Sequence, residues 1–301
     1  MVKMGNAPAV SVIIPTAGEA SRWQSLEWAI TSVRAGNDIG IEVVVVLNGD
    51  RYCPNLRASL ESRSDVRLIY LPEGDLTRAI ARGRQAVRGR YFCFLDDDDE
   101  YLPGTLSTRL RLMDRDPSID VLVTNGYRRQ CDDSGRETET LMFSRLTDNA
   151  ENPLMGLTRG NWLASCGGLF RSATVGPEYF NGIQKYFEWS WLAIRLSLTR
   201  NIRFRDIPTF VVNDTPDSLS KSLAYLTREL DFLLRVLNEL DTPKPFRRHL
   251  HRKLAAKHIS FANAALTQGF RGKALRHYLA CLGSGRAGLA YALWVRKLIL
   301  K

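Results

Sequence analysis

Residues 95–103 read L-D-D-D-D-E-Y-L-P, and the four adjacent aspartates are the part of this chain most suited to chemistry. Side-by-side carboxylates repel one another, and keeping several of them ionised calls for a compensating cation. Oxygen-only donors suit Mg²⁺ or Mn²⁺. Residues 91–95 (Y-F-C-F-L) are all apolar or aromatic, the composition of a buried strand. A strand that ends in packed carboxylates delivers them to the C-terminal edge of a sheet, where open α/β folds bind ligands. The plainer alternative is a solvated acidic turn capping the next helix. A second acid stands out by its setting. Glu188 is the single acid of residues 186–198 and lies among Tyr186, Phe187, Trp189 and Trp191. Partial desolvation there raises a carboxyl pKa; the alternative is a helix-capping acid beside aromatic core.

The elements needed to position these acids are legible around them. Residues 9–15 (A-V-S-V-I-I-P) form a first strand, with a turn at 15–18 leaving its end. Trp23, Leu26, Ala29, Ile30 and Val33 recur at helical spacing, with Ser21 as the expected N-cap and Gly36 as the stop. Residues 41–47 (I-E-V-V-V-V-L) are almost wholly apolar, as a strand covered on both faces must be. A short helix over 54–63, a strand over 66–71 and a helix over 76–87 lead into the strand of residues 91–95. This alternation predicts a mostly parallel sheet with crossover helices. Residues 15–19, 48–50 and 96–99 then line one crevice. Downstream, the pattern predicts a helix at 104–113, a strand at 120–124 and a polar loop or hairpin at 128–148. An extended segment at 161–170, a helix ending near Arg200, a strand at 207–212 and a long amphipathic helix at 219–240 follow.

Beyond Pro243 and Pro245 the composition changes. Residues 244–301 hold 13 Lys or Arg and no Asp or Glu, leaving 29 basic against 32 acidic residues in the rest of a chain of net charge +10. Helices over 247–266, 273–282 and 287–300 are expected, the last pairing A-G-L-A-Y-A-L-W-V with Arg296, Lys297 and Lys301 as an interfacial helix does. The natural partners of such a tail are an anionic membrane surface, a phosphorylated acceptor or nucleic acid. The alternative is a helical appendage with a wet basic side. Five Cys with no paired spacing point to a reducing compartment. With no apolar leader and no membrane-length apolar run, the expected location is cytoplasmic, peripheral on the inner membrane face.

Over about residues 9–222 the chain resembles the family 2 glycosyltransferases of GT-A fold. S-V-I-I-P-T, E-V-V-V-V-L-N-G, Ala81-Arg82-Gly83 with Arg88-Gly89-Arg90-Tyr91, F-L-D-D-D-D-E-Y-L-P, Gly168-Leu169-Phe170-Arg171, Phe187-Glu188-Trp189 and Ser218-Leu219-Ser220 carry the likeness, in the family's order. The resemblance implies an α/β GT-A catalytic domain over 1–222 and a basic helical extension over 223–301. Within the domain, 9–99 would form the nucleotide-sugar-binding half and 100–222 the acceptor-side half. It also implies an inverting enzyme that moves a sugar from a nucleotide-sugar donor to a carbohydrate or lipid-linked acceptor, with Mg²⁺ or Mn²⁺ as cofactor. By match, Asp98 contacts the metal and Asp96 sits nearer the donor, with Asp97 and Asp99 able to exchange roles with them. Glu188 is the general base. Pro15, Thr16, Ala17, Asn48, Asp50, Arg82, Asp96 and Asp97 are the expected donor contacts, and Asp214 a further metal or phosphate-side ligand. Three positions depart from the family pattern. Leu47 stands where an acid usually reads uracil, Gly83 replaces a common Asn, and Asn213, Asp214 and Asp217 occupy the region of a missing histidine.

Two other functional classes compete. Nucleotidyl transfer uses similar folds, but the Gly- and Lys-rich loop it wants after the first strand is lacking at 16–20. A non-catalytic nucleic-acid or membrane binder would rest on the basic tail alone, with no nucleic-acid motif to support it.

Overall fold

The computed structural model describes residues 7–131, 134–214 and 223–296. Asp217, the Ser-Leu-Ser of 218–220, Lys297 and Lys301 lie outside the described residues. The chain divides into two compact units, Met1–Ser218 and Leu219–Lys301.

In the first unit, β1 (Val10–Thr16) is buried along its whole length. A 3-10 turn, Ala20–Arg22, precedes α1 (Trp23–Arg34). Ser21 therefore lies inside that turn rather than capping the helix: Arg22 is the N-cap residue and makes no side-chain cap bond. The helix stops before Gly36, whose positive φ of 64° suits glycine. Then follow β2 (Ile41–Asn48), α2 (Pro54–Ser62), β3 (Val66–Leu71), α3 (Leu76–Gln85) and β4 (Tyr91–Phe94). Asp75 caps α3 by accepting the backbone N–H groups of Thr77 and Arg78.

A two-residue strand, β5 (Glu100–Tyr101), follows the aspartates, and α4 (Thr105–Arg115) comes next. β6 (Val121–Cys131) runs well past the expected strand end and forms a hairpin with β7 (Glu137–Leu141), so the polar stretch is the hairpin alternative. After α5 (Pro153–Gly156), only Gly168–Arg171 of the expected extended segment is strand, as β8. Then come α6 (Glu188–Thr199) and β9 (Ile202–Asp214).

The sheet order is β3-β2-β1-β4-β8-β6-β9-β5, with β7 paired to β6 beside this path. β3, β2, β1 and β4 are parallel, as the strand–helix alternation predicts. β8 is an antiparallel insert between β4 and β6, and β6 is parallel to β9, so β4, β6 and β9 run in one direction. β5 pairs antiparallel with the far end of β9, Glu100 opposite Val211 and Tyr101 opposite Phe210. That pairing clamps the aspartate turn between the ends of β4 and β9.

On one face, Val10, Val12, Ile14, Val43 and Val45 pack beneath Leu26, Ile30 and Val33 of α1, and Leu106 and Met113 of α4 join the same core. On the other, Phe92, Phe94, Phe170 and Phe180 make mutual edge and stacked contacts, and Trp189 meets Phe94 at 5.2 Å between centroids. Such pairs add about 0.5–1.5 kcal/mol each beyond their buried area. Trp162, Phe204's edge-on neighbour, is buried and donates its Nε1–H to the Pro153 carbonyl at 2.9 Å. It is core.

The second unit holds α7 (Leu223–Glu239), α8 (Lys244–Thr267), α9 (Arg271–Leu282) and α10 (Arg286–Leu289). Ala255, Ile259, Ala262 and Ala265 pack against Ala274, Tyr278, Cys281 and Trp294. The single helix expected over 287–300 is broken: α10 ends at Leu289 and a 3-10 turn, Ala292–Val295, follows. Tyr278 stacks on Trp294 and donates its hydroxyl to the Ala292 carbonyl, which is compatible with a turn there rather than a straight helix.

Candidate active site

The acid turn is built by backbone before any side chain acts. The Leu95 N–H reaches the Ile13 carbonyl at 3.0 Å, extending the β1–β4 ladder, and the Asp99 N–H closes on the Asp96 carbonyl at 3.2 Å. Asn213 fixes the turn from β9, donating its N–H to Asp99 Oδ1 at 3.0 Å and its Nδ2 to the Asp98 carbonyl at 2.6 Å.

Within this frame the four carboxylates have different surroundings. Asp99 is 4% exposed and also takes a Cys166 thiol contact at 3.8 Å, so it faces inward as an anchor. Asp97 accepts the Thr16 hydroxyl at 2.5 Å. Thr16 in turn receives the Gly18 N–H at 3.0 Å, and Gly18 has a φ of 67° and no room for a Cβ beside Leu47. The end of β1, Pro15 and Thr16, both buried, and the half-buried Ala17 after it are thereby tied to the acid turn. Asp98 is held by the Arg22 guanidinium, which also lies 3.6 Å from Asp97. Asp96 lies beside Ser165, whose hydroxyl favours its charged form.

Burial pushes Asp96 up to about 7, and the charges of Asp98, Asp97 and Glu188 add to it against the Ser165 hydroxyl. Burial likewise raises Asp97, and Asp99 stands well above the usual carboxylate range through burial and the charges of Asp96 and Asp98. Three of the four acids thus hold their protons more tightly than a free aspartate, chiefly because burial disfavours their charged forms, with repulsion between neighbouring carboxylates adding to it.

Glu188 opens α6, is 8% exposed and accepts the Tyr186 N–H at 2.9 Å through Oε1. Tyr186 has a φ of 71°, the one non-glycine positive φ among the described residues. A bulky side chain in that region stores about 1–2 kcal/mol of strain. Burial raises Glu188, opposed by backbone hydrogen bonds; the Asp75 charge adds to the rise and Lys185 counters it. Phe187 and Trp191 are buried, while Trp189 bridges to Phe94, two residues before Asp96. Glu188 and the acid turn therefore share one apolar wall, and the Glu188 charge is felt at Asp96.

The other expected donor residues are placed less directly. Asn48 spends its Oδ1 on the Asp75 N–H at 2.8 Å, bracing the start of α3, and Leu47 is fully buried. Asp50 is exposed at the following turn. Arg82 is exposed toward the end of α3, in electrostatic range of Arg67. Its neighbour Arg84 is structural, donating to the Val175 and Ser172 carbonyls over Phe92. Asp214 accepts Gln130 Nε2 at 2.9 Å and lies 3.6 Å from Arg128.

Arg22 is the site residue that sequence reasoning missed. A lone arginine in the loop after the first strand was its only signal, and the helix pattern absorbed it.

Among the described residues, no group of three or more His, Cys, Asp or Glu is arranged to hold a metal ion. The carboxylate oxygens of Asp96 and Asp98 are nevertheless hard donors of the type Mg²⁺ and Mn²⁺ take, and their mutual repulsion is what such an ion relieves. In donor chemistry the pair fits, although Arg22 already engages one oxygen of Asp98.

Residues 11–171, just over half the chain, match the family described as Glycosyl transferase family 2. An uncharacterized glycosyltransferase of Rickettsia conorii, RC0461, is 25% identical over 187 residues, covering 60% of this chain and 30% of that one. Another, MJ1057 of Methanocaldococcus jannaschii, is 28% identical over 135 residues, covering 42% and 44%. The chain thus spans less than half the length of either relative. S. aureus TarS 1-349, solved in complex with UDP-GlcNAc, has the same fold, with a TM-score of 0.62 at 16% identity over 90% of this chain and 81% of that one. The same fragment alone gives 0.58 at 18% identity, over 91% and 80%.

Proposed function

The chain belongs to glycosyl transferase family 2, and from that premise we propose that it moves a sugar from a nucleoside-diphosphate sugar to an acceptor hydroxyl, with inversion at the anomeric carbon. The observation that carries this reading is Glu188, a buried carboxylate of raised pKa on the same apolar wall as the Asp96–Asp98 turn. TarS, of the same fold, was solved with UDP-GlcNAc, which makes UDP-sugars the first donors to try.

In the proposed reaction the acceptor oxygen attacks the anomeric carbon, the bond to the diphosphate oxygen breaks, and the acceptor proton passes to Glu188. Asp96 and Asp97, with residues 15–17, hold the donor at the strand ends. Asp98 and Asp96 would hold a Mg²⁺ or Mn²⁺ ion, which supplies charge neutralisation for the leaving diphosphate. Asp214, at the end of β9, is a further ligand candidate on the phosphate side. Burial around Glu188 keeps bulk water from competing for the sugar.

Nucleotidyl transfer is the lesser reading, since no observation favours it over glycosyl transfer. The proposed acceptor is a carbohydrate or lipid-linked glycan, met at an anionic membrane surface through the C-terminal helices. Their support is the acid-free run of 244–301 together with exposed Phe270, Leu275, Leu279, Leu289 and Leu293. No helix among the described residues is long and apolar enough to cross a membrane.

The test is calorimetric binding of a panel of nucleoside diphosphates and nucleotide sugars, with and without Mn²⁺, to wild type and Asp98→Ala. Binding of one nucleotide that requires Mn²⁺ and weakens in the variant is expected. No binding above background in any condition would sink the donor site.

A further inference from the structure

Arg22 engages the acid turn across a sequence separation of 76 residues. Its backbone is fixed at the junction of the 3-10 turn and α1, the N–H donating to the Glu19 carbonyl at 2.9 Å and its own carbonyl accepting the Ser25 hydroxyl at 3.0 Å. From that rigid base the guanidinium meets Asp98 Oδ2 and approaches Asp97 Oδ1 to 3.6 Å. Among the described residues no other Lys or Arg forms an ion pair with any of Asp96, Asp97, Asp98 or Asp99. The Arg22 side chain is 32% exposed, so one side of it meets water.

We propose that Arg22 is the resident counter-ion of this crevice, and that a divalent cation reaches Asp98 only by displacing its guanidinium. The inference rests on the reading of Asp98 as a metal ligand. Two cations cannot share one carboxylate oxygen at contact distance without strong repulsion. An ammonium or guanidinium on Asp98 therefore competes directly with a hard ion for the same lone pairs. A released guanidinium meets an incoming diphosphate, whose oxygens match its planar fork. Metal and donor then enter as a coupled pair: each removes the obstacle to the other. In the absence of donor, Arg22 offsets part of the negative charge of Asp97 and Asp98, the two acids it pairs with.

Mn²⁺ titrated into donor-free protein by calorimetry tests this. Arg22→Gln should bind Mn²⁺ about tenfold more tightly than wild type, since one neighbouring charge shifts such equilibria by that order. Arg22→Lys, which keeps the charge, should stay near wild type, and Asp98→Asn should abolish binding. Equal or weaker binding by Arg22→Gln, with Asp98 still required, would overturn the competition while leaving the metal reading intact. If no variant binds Mn²⁺, or Asp98→Asn changes nothing, the metal reading falls and this inference with it. A measurement on the unmutated protein guards against a misfolded variant. The Arg22 Nε–H NMR resonance should move as Mg²⁺ is added, tracking the binding isotherm, and an unmoved resonance at saturation would refute displacement.

Discussion

Four adjacent aspartates are chemically identical, yet their neighbours divide them. Asp99 turns inward to Asn213 and Cys166, Asp97 bonds Thr16, Asp98 meets Arg22, and Asp96 sits by Ser165. Glu188 is the residue on which the proposed chemistry depends. Glu188→Gln should lower kcat by about 10²–10⁴-fold, the usual contribution of a general base, with donor binding retained. Because burial raises its pKa, the acidic limb of the kcat/KM profile should fall at a pH above the ordinary glutamate value of 4.5. Stability has the opposite sign. The folded state binds this proton more tightly than the unfolded chain, so Glu188's contribution is present at low pH and is lost as pH rises through the raised value. Glu188→Gln should therefore be more stable than wild type at pH 8 in urea unfolding, with the gap closing toward pH 4. A gap that widened on acidification would contradict the assigned environment.

At the scale of elements, the strands and helices before the acid turn follow directly from sequence, because long apolar runs and helical periodicity survive any tertiary context. β5 was invisible: two residues carry no period, and Glu100 and Tyr101 become strand only because β9 arrives beside them. The 3-10 turn at 20–22 displaced Ser21 from its expected cap for a similar reason, since the chain must turn from β1 into α1 around Thr16 and Gly18. Gly83 shows a packing constraint. A Cβ there would stand 2.3 Å from Ile13 Cγ2 and 3.3 Å from Val46 Cγ2, so α3 lies directly on β1 and β2. Gly83→Ala should cost about 1–3 kcal/mol by overpacking, measured by chemical denaturation. A neutral result would mean that the helix rides further from the sheet.

At the scale of the whole molecule, charge is segregated along the chain. Residues 244–301, within the second compact unit, carry a net +13, and the rest of the chain carries −3. α9 buries Ala274, Tyr278 and Cys281 in its own unit while Leu275 and Leu279, one turn apart on another face, stay exposed, Leu279 at 57%. Exposed leucines beside Arg271, Lys273 and Arg276 are suited to a surface that is both apolar and anionic. The protein should therefore sediment with vesicles containing phosphatidylserine and not with neutral ones. Raised salt should weaken this binding, and Leu275→Ser with Leu279→Ser should reduce it. Equal binding to neutral vesicles would remove the electrostatic part of the reading.

The order of strands and helices through residue 94, the acid turn, the aromatic setting of Glu188 and the basic tail were determined by the sequence alone, because each is written in contiguous composition or in a short period. Tertiary structure alone decided which aspartate faces inward, that Arg22 reaches Asp98, that Asn213 clamps the turn and that Trp162 is core. Each of these depends on side chains brought together by the sheet order from nine to more than a hundred positions apart. Local propensity carries no information about such pairs.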